Sequence, residues 1–348
     1  MTAASDRASA VGEFPASDEV PASDEVPASD EVPAFDALPF LEDARSGWGV
    51  FGAEDTVGRI NLMSPERVVA ASRLVRTGEV FALNLPLDYF PAVAHRSPPR
   101  HTLDRRGPEL YAGRQIAYDD VIDNFYPQAT SQWDALAHVS ATANEFYNGA
   151  VDQDIRDGRR CTIDHWARRG IVGRAVLADV ARLYEMRDEP YDLREAPQVG
   201  IWTVAEALAE AGVTPRPGDV LLIHFGFLEW FDGLSTRARA KVMGARPMSF
   251  AGLERSEPTA RWLWDSGFAA VAGDVPGVES FPVDFGTPYG ALHRVLIGRL
   301  GFALGELFDL RALAASSARD GRYEFFFTSA PLNVVGGVGS TPNALVVK

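Results

Sequence analysis

The densest run of chemically able residues in the chain is QATSQWDALAHV, residues 128 to 139, which gathers Gln128, Thr130, Ser131, Gln132, Asp134 and His138. A short aromatic patch, FYNG at 146 to 149, follows it. If the run is an extended strand, side chains alternate with period two, and Gln128, Gln132 and Asp134 share a face. A helical turn from Asp134 instead brings Asp134 and His138 together at i, i+4. Either geometry pairs an acid with an imidazole, and such an acid orients the ring and holds it as a general base near neutral pH. Amides such as those of Gln128 and Gln132 can donate to a substrate carbonyl or to a developing oxyanion.

Other polar positions read more simply. His224 lies in DVLLIHFG and is either a satisfied core residue or part of a site wall. His165, beside Arg168 and Arg169, reads as structural, and His95 and His101 fall in a Pro/Arg-rich stretch with the character of a solvent-facing loop. Asp274 and Glu279, in GDVPGVES, end an apolar run before a turn and read equally as turn formers or as site residues. Cys161 has no evident partner and reads as inert. The late GGVGS lacks the following Lys of a phosphate loop.

The elements that must position these residues alternate between strand and helix. Ser64 caps a helix beginning at Pro65 and running through Val75. VFALNLPL alternates like a strand, whereas Pro91 to Asp104 shows no periodicity and reads as a long loop. Apolar runs beginning at Gly170, Asp219 and Phe268 predict buried strands, and TVAEALAEAGV, SEPTARWLWDSG and ALHRVLIGRLG predict helices. This pattern is that of one α/β domain, residues 40 to 348, with a largely covered sheet.

Ahead of it, PASDEV repeats three times from Pro15. The repeat has too little apolar surface to offset the cost of ordering, about 1–2 kcal/mol per residue. Residues 1 to 39 therefore read as a disordered acidic tail. The chain has 348 residues, 46% hydrophobic and 23% charged, with a net charge of −15. That balance excludes a membrane span and argues against nucleic acid as a partner. A single cysteine and no signal-like N-terminus predict a cytoplasmic protein.

The motifs GRINLMSPE, SQWDALAHV, YNG, HWARRGIVGRAVLADV, GDVLLIHFGFLE, AGDVPGVES and LHRVLIGRLGFALGELFDL occur in this order. Together they resemble the cyclase family that includes kynurenine formamidase and isatin hydrolase. The resemblance spans nearly all of residues 46 to 348 and implies a compact, barrel-like sheet flanked by helices, in a homodimer or higher homo-oligomer. The family motif is His-x-Gly-Thr-His-x-Asp-x-Pro-x-His, whose first two His and Asp hold a divalent metal and whose last His is the base. Here those two His positions are Gln128 and Gln132, while Asp134 and His138 are kept; Leu136 replaces the Pro. A distal His and Glu of the family fall on His293 and Glu306.

An amide oxygen is a far weaker ligand for zinc or manganese than imidazole. The exchange thus points to a site without a cofactor, in which His138, Asp134, Gln132 and Gln128 are the catalytic residues. The alternative is a divalent metal, zinc or manganese, on Asp134, His138, His293 and Glu306. Trp133, Tyr147, Asn148, His224, His293 and Glu306 are the expected substrate-binding residues, and Phe146, Phe227 and Trp230 add aromatic surface for an apolar, carbonyl-bearing metabolite. The reading is a small-molecule cyclase that makes or opens a ring by acid/base catalysis in secondary metabolism. A metal-dependent hydrolase of an amide, lactam or lactone is the alternative, and a non-catalytic ligand-binding protein the second alternative.

Overall fold

The computed structural model describes residues 32–107 and 115–348. Its main sheet has nine strands, here labelled β1 (Val80–Ala82), β2 (Gln132–Asp134), β3 (Ile171–Asp179), β4 (Val220–His224), β5 (Ala270–Gly273), β6 (Ala303–Glu306), β7 (Glu324–Ser329), β8 (Gly339–Ser340) and β9 (Ala344–Val347). Their spatial order is β8-β2-β6-β5-β4-β3-β7-β9-β1. The central β3, β4, β5 and β6 run parallel, and antiparallel strands extend the sheet on both sides. The result is a curled half-barrel flanked by helices, a mixed α/β fold as the sequence predicts.

Burial explains the strand sequences. Strands β4 and β5 are buried at every position, so VLLIH and AVAG read as continuous apolar runs rather than alternating ones. The helix Pro65–Ser72 starts where Ser64 Oγ accepts from the Arg67 N–H, and it stops three residues before the predicted end. Helix Glu257–Asp265 is capped likewise by Ser256, and it lays Leu263 and Trp264 onto the core.

Three readings change. Arg100–Arg106 is a strand, paired antiparallel with Ala117–Asp123, although the stretch was expected to be loop; cross-strand pairs such as Arg100–Asp123 support it in place of apolar periodicity. The helix expected in ALHRVLIGRLG takes a wide π form over Arg294–Arg299. The tail reading lies outside the described residues for 1–31, but its last residues pack on the body. Phe35 and Leu38 are buried, Trp264 Nε1 donates to Pro33 O at 2.8 Å, and the Phe35 N–H donates to Asp265 at 2.8 Å. The decayed copy PAFDAL puts Phe for Ser, Ala for Glu and Leu for Val, which gives it apolar surface to bury.

Candidate active site

Strand β2 places the site. Its extended backbone turns Gln132 and Asp134 to one face and Trp133 to the other. Its antiparallel register with β6 sets Glu306 directly opposite Gln132, and Gln132 Nε2 donates to Glu306 Oε2 at 2.5 Å. After β2 the chain turns back, so that His138 Nε2 comes within 3.6 Å of Asp134 Oδ1. Of the geometries weighed for this segment, the strand holds over Gln132–Asp134, and a turn after it, not a helix, brings His138 near Asp134.

His293 enters from the turn that leads into the π segment. Its Nε2 is 2.8 Å from Glu306 Oε1 and 3.6 Å from Asp134 Oδ2, and its Nδ1 is 2.6 Å from Glu279 Oε2. The π segment can approach the His138 loop because residue 298 is Gly: a Cβ there would lie 2.6 Å from Ala141 N. Wide π turns are frequent where a helix must aim a side chain into a site.

The cluster is strongly electronegative and largely buried. Asp134 and Glu279 are fully buried, and Glu306 is nearly so. Burial pulls the His293 pKa down, but Glu279, Asp134 and Glu306 outweigh it and hold the ring well above the usual imidazole value. Burial, reinforced by Asp134, pushes Glu306 up to about 7 against the opposing pull of His293. For His138, burial lowers the pKa; Asp134 opposes the shift, while His293 and Arg96 add to it. His138 is therefore a neutral ring near pH 7.

Both oxygens of Asp134 and Oε1 of Gln132 are buried with no hydrogen-bond partner. Buried carboxylate oxygens in that condition are costly unless something completes them. Ligand atoms of Asp134, His293 and Glu306 all lie within 4.8 Å of one another. Carboxylates and one imidazole, with the Gln132 carbonyl beside them, form a donor set that suits a divalent cation such as zinc or manganese. Glu279 on the far nitrogen of His293 is the outer carboxylate that commonly orients a metal-binding histidine. The residues present therefore fit a metal.

Several expected site residues lie elsewhere. Gln128 belongs to a 3-10 turn, Pro127–Ala129, so the period-two alternation does not reach it, but its amide still rests beside Gly339, the strand partner of Asp134; a Cβ on Gly339 would approach its Nε2 to 2.2 Å. Trp133 is a core residue on the opposite face, donating to Ser329 Oγ at 2.9 Å and packing edge-on against Phe308. Tyr147 is buried and donates to Asp55 at 3.0 Å, and Asn148 ties down the Gly49–Asp55 loop by accepting from the Gly49 N–H and donating to Gly52, Ala53 and Asp55 carbonyls. His224 joins a separate group with Asp179 and Glu229. Cys161 is buried, and burial pushes its thiol up to about 12, in keeping with an inert role.

Two site residues escaped the sequence reading or were left open by it. Glu279, read equally as a turn former, faces His293. Arg96, in the stretch read as loop, lies close enough to His138 to lower its basicity and donates to the Gln128 carbonyl at 3.3 Å. A lone Arg among several in a Pro-rich stretch carries no signal that would single it out.

Glu306 sets the buried acid–imidazole cluster at the carboxyl end of β6, where α/β sheets commonly carry their sites. Residues 81–280 match the model of the family described as "Putative cyclase", and the chain belongs to that family. It is similar to a solved structure described as a novel cyclase, with 32% identity and a TM-score of 0.76 over 87% of this chain and 99% of that one. Isatin hydrolase A from Labrenzia aggregata, solved with benzyl benzoate, shares the fold at 15% identity and a TM-score of 0.54, over 81% of this chain and 97% of that one. Isatin hydrolase A from Ralstonia solanacearum shares it at 15% identity and a TM-score of 0.52, over 82% and 98%. No curated protein matches the sequence. Among the described residues, no helix is long and apolar enough to cross a membrane.

Proposed function

We propose that this enzyme makes or opens a ring at an amide- or ester-type carbonyl of a small metabolite. In this reading Asp134, His293 and Glu306 hold a divalent cation and His138 moves the proton. The observation that carries it is the pair of partnerless Asp134 oxygens, each 3.6 Å from a histidine Nε2. Both spacings are too long for a hydrogen bond, and the Asp134–His293 one suits two ligands of a single ion. When bound, such a cation polarises a carbonyl oxygen and makes a neighbouring nucleophile more acidic.

The chain supplies the rest. His138, neutral and with 22% of its side chain exposed, can take a proton from the attacking group and return it to the departing nitrogen or oxygen. Arg96 places positive charge near it, which helps to keep the ring neutral. Glu279 holds Nδ1 of His293, which turns Nε2 toward Glu306 and Asp134. Secondary metabolism, a homo-oligomer and a cytoplasmic address belong to the same proposal.

One observation favours a second reading. Without a cation, Glu306 with its pKa of about 7 and neutral His138 form an acid and base pair whose environments have pushed them apart. The test is a panel of lactams, lactones, isatin and N-formyl arylamines, assayed with zinc or manganese and after chelation. Metal-dependent turnover of a member supports the first reading. Chelator-resistant turnover supports the second, and binding without turnover would leave a ligand-binding protein.

A further inference from the structure

A second group of His and carboxylates lies at the carboxyl ends of β3, β4 and β5. His224 ends β4. Its Nδ1 is 2.8 Å from Asp179 Oδ1 at the end of β3, and its Nε2 is 3.0 Å from Glu229 Oε1 on the short helix Phe227–Asp232. Asp274, just past β5, is fully buried and is oriented by the N–H groups of Phe225 and Phe227 at 2.7 and 2.8 Å. Ligand atoms of His224, Glu229 and Asp274 lie within 4.8 Å of one another.

This group repeats the architecture of the Asp134 site. There, Glu279 anchors Nδ1 of His293, Nε2 meets Glu306, and Asp134 stands in reach. Here Asp179, His224, Glu229 and Asp274 take the corresponding places. One imidazole faces three carboxylates, so even a protonated ring leaves negative charge uncompensated in a largely buried setting. The hydroxyl of Tyr191 is also buried without a hydrogen-bond partner, and it lies close enough to Asp274 for the two to interact electrostatically. A cleft of about 730 Å³, lined by Tyr191, Asp192, Arg194, Glu229 and Trp230 among others, reaches the group at Glu229.

We propose that His224 Nε2, Glu229 and Asp274 form a second divalent-cation site, distinct from the Asp134 cluster, with Asp179 orienting the imidazole. Two carboxylates and one imidazole suit zinc or manganese. Ligand identity and an outer carboxylate on the histidine are features such a site requires. Its effect would be to pin the Phe227–Asp232 helix to the strand ends.

The experiment is zinc titration of the chelator-treated, full-length protein by calorimetry, with elemental analysis after desalting. Wild type is expected to take up two equivalents. Glu229→Gln, at a side chain 45% exposed, should take up one, and Asp134→Asn should also take up one, by losing the other. Cobalt loaded into Asp134→Asn should show ligand-field absorption that the added Glu229→Gln change removes, a readout within a single folded background. A Glu229→Gln protein with wild-type stoichiometry would overturn the proposal, as would an Asp134→Asn protein that binds neither zinc nor cobalt. Loss of the Asp134 equivalent alone concerns the first site and is read separately.

Discussion

Glu279 grips His293 twice: its Oε1 accepts from the His293 backbone N–H at 3.3 Å, and its Oε2 lies 2.6 Å from the ring Nδ1. The ring is thereby fixed in tautomer and direction, with Nε2 aimed at Asp134 and Glu306. Outer carboxylates of this kind are worth about 10–100-fold in metal affinity. Glu279→Gln should therefore weaken zinc or manganese binding by about that factor while leaving the stoichiometry unchanged, as measured by competition with a chromogenic chelator. Unaltered affinity would reduce Glu279 to a packing role.

His138 is placed to move protons without being needed for the fold. His138→Ala should lower kcat by about 10²–10⁴-fold, the usual contribution of one general acid–base group. KM and metal content should change little. A kcat within a fewfold of wild type would remove His138 from the mechanism.

Gly305 lies between Leu304 and Glu306 and pairs with Trp133 across the strands. A Cβ at this position would lie 2.6 Å from Ala272 Cβ, 2.7 Å from Phe308 Cε2 and 2.8 Å from Trp133 Cζ3. Gly305→Ala is thus an overpacking change and should cost about 1–3 kcal/mol in urea unfolding. It should also displace Glu306 and weaken metal binding. A stable variant with normal affinity would show that β2 and β6 part without cost.

Much of this could be read from residue order. The Asp134–His138 pair was visible in its spacing, and the apolar runs of β3, β4 and β5 announced a covered parallel sheet. Other features depend on contacts distant in sequence. Nothing local tells that Trp133 and Tyr147 face the core, because aromatic residues serve cores and pockets equally well. Asn148 owes its role to the Gly49–Asp55 loop, nearly a hundred residues earlier. The His224 group draws on Asp179 and Asp274, each about fifty residues away, so only the folded strand ends bring them together. The strand face does not extend to Gln128 for a local reason, since a 3-10 turn over Pro127–Ala129 breaks the alternation before Gln132.

The start of the packed chain offers a separate check. Phe35 is fully buried, with the Arg261 guanidinium 4.9 Å above its ring. Phe35→Ala should cost about 3–5 kcal/mol, as core Phe truncations do, and should lower the Tm accordingly. A loss under about 1 kcal/mol would return residues 33–38 to the tail, since surface substitutions usually stay within that range.

The account rests on a cation held by Asp134, His293 and Glu306. The most direct test compares wild type with Asp134→Asn in elemental analysis after desalting, alongside turnover of the best substrate before and after chelation. The account predicts that wild type holds tightly bound zinc or manganese and loses turnover on its removal, with recovery when metal is returned, and that Asp134→Asn lacks one equivalent and is inactive. Equal metal content in the two proteins, or turnover that survives complete removal of metal, would contradict it.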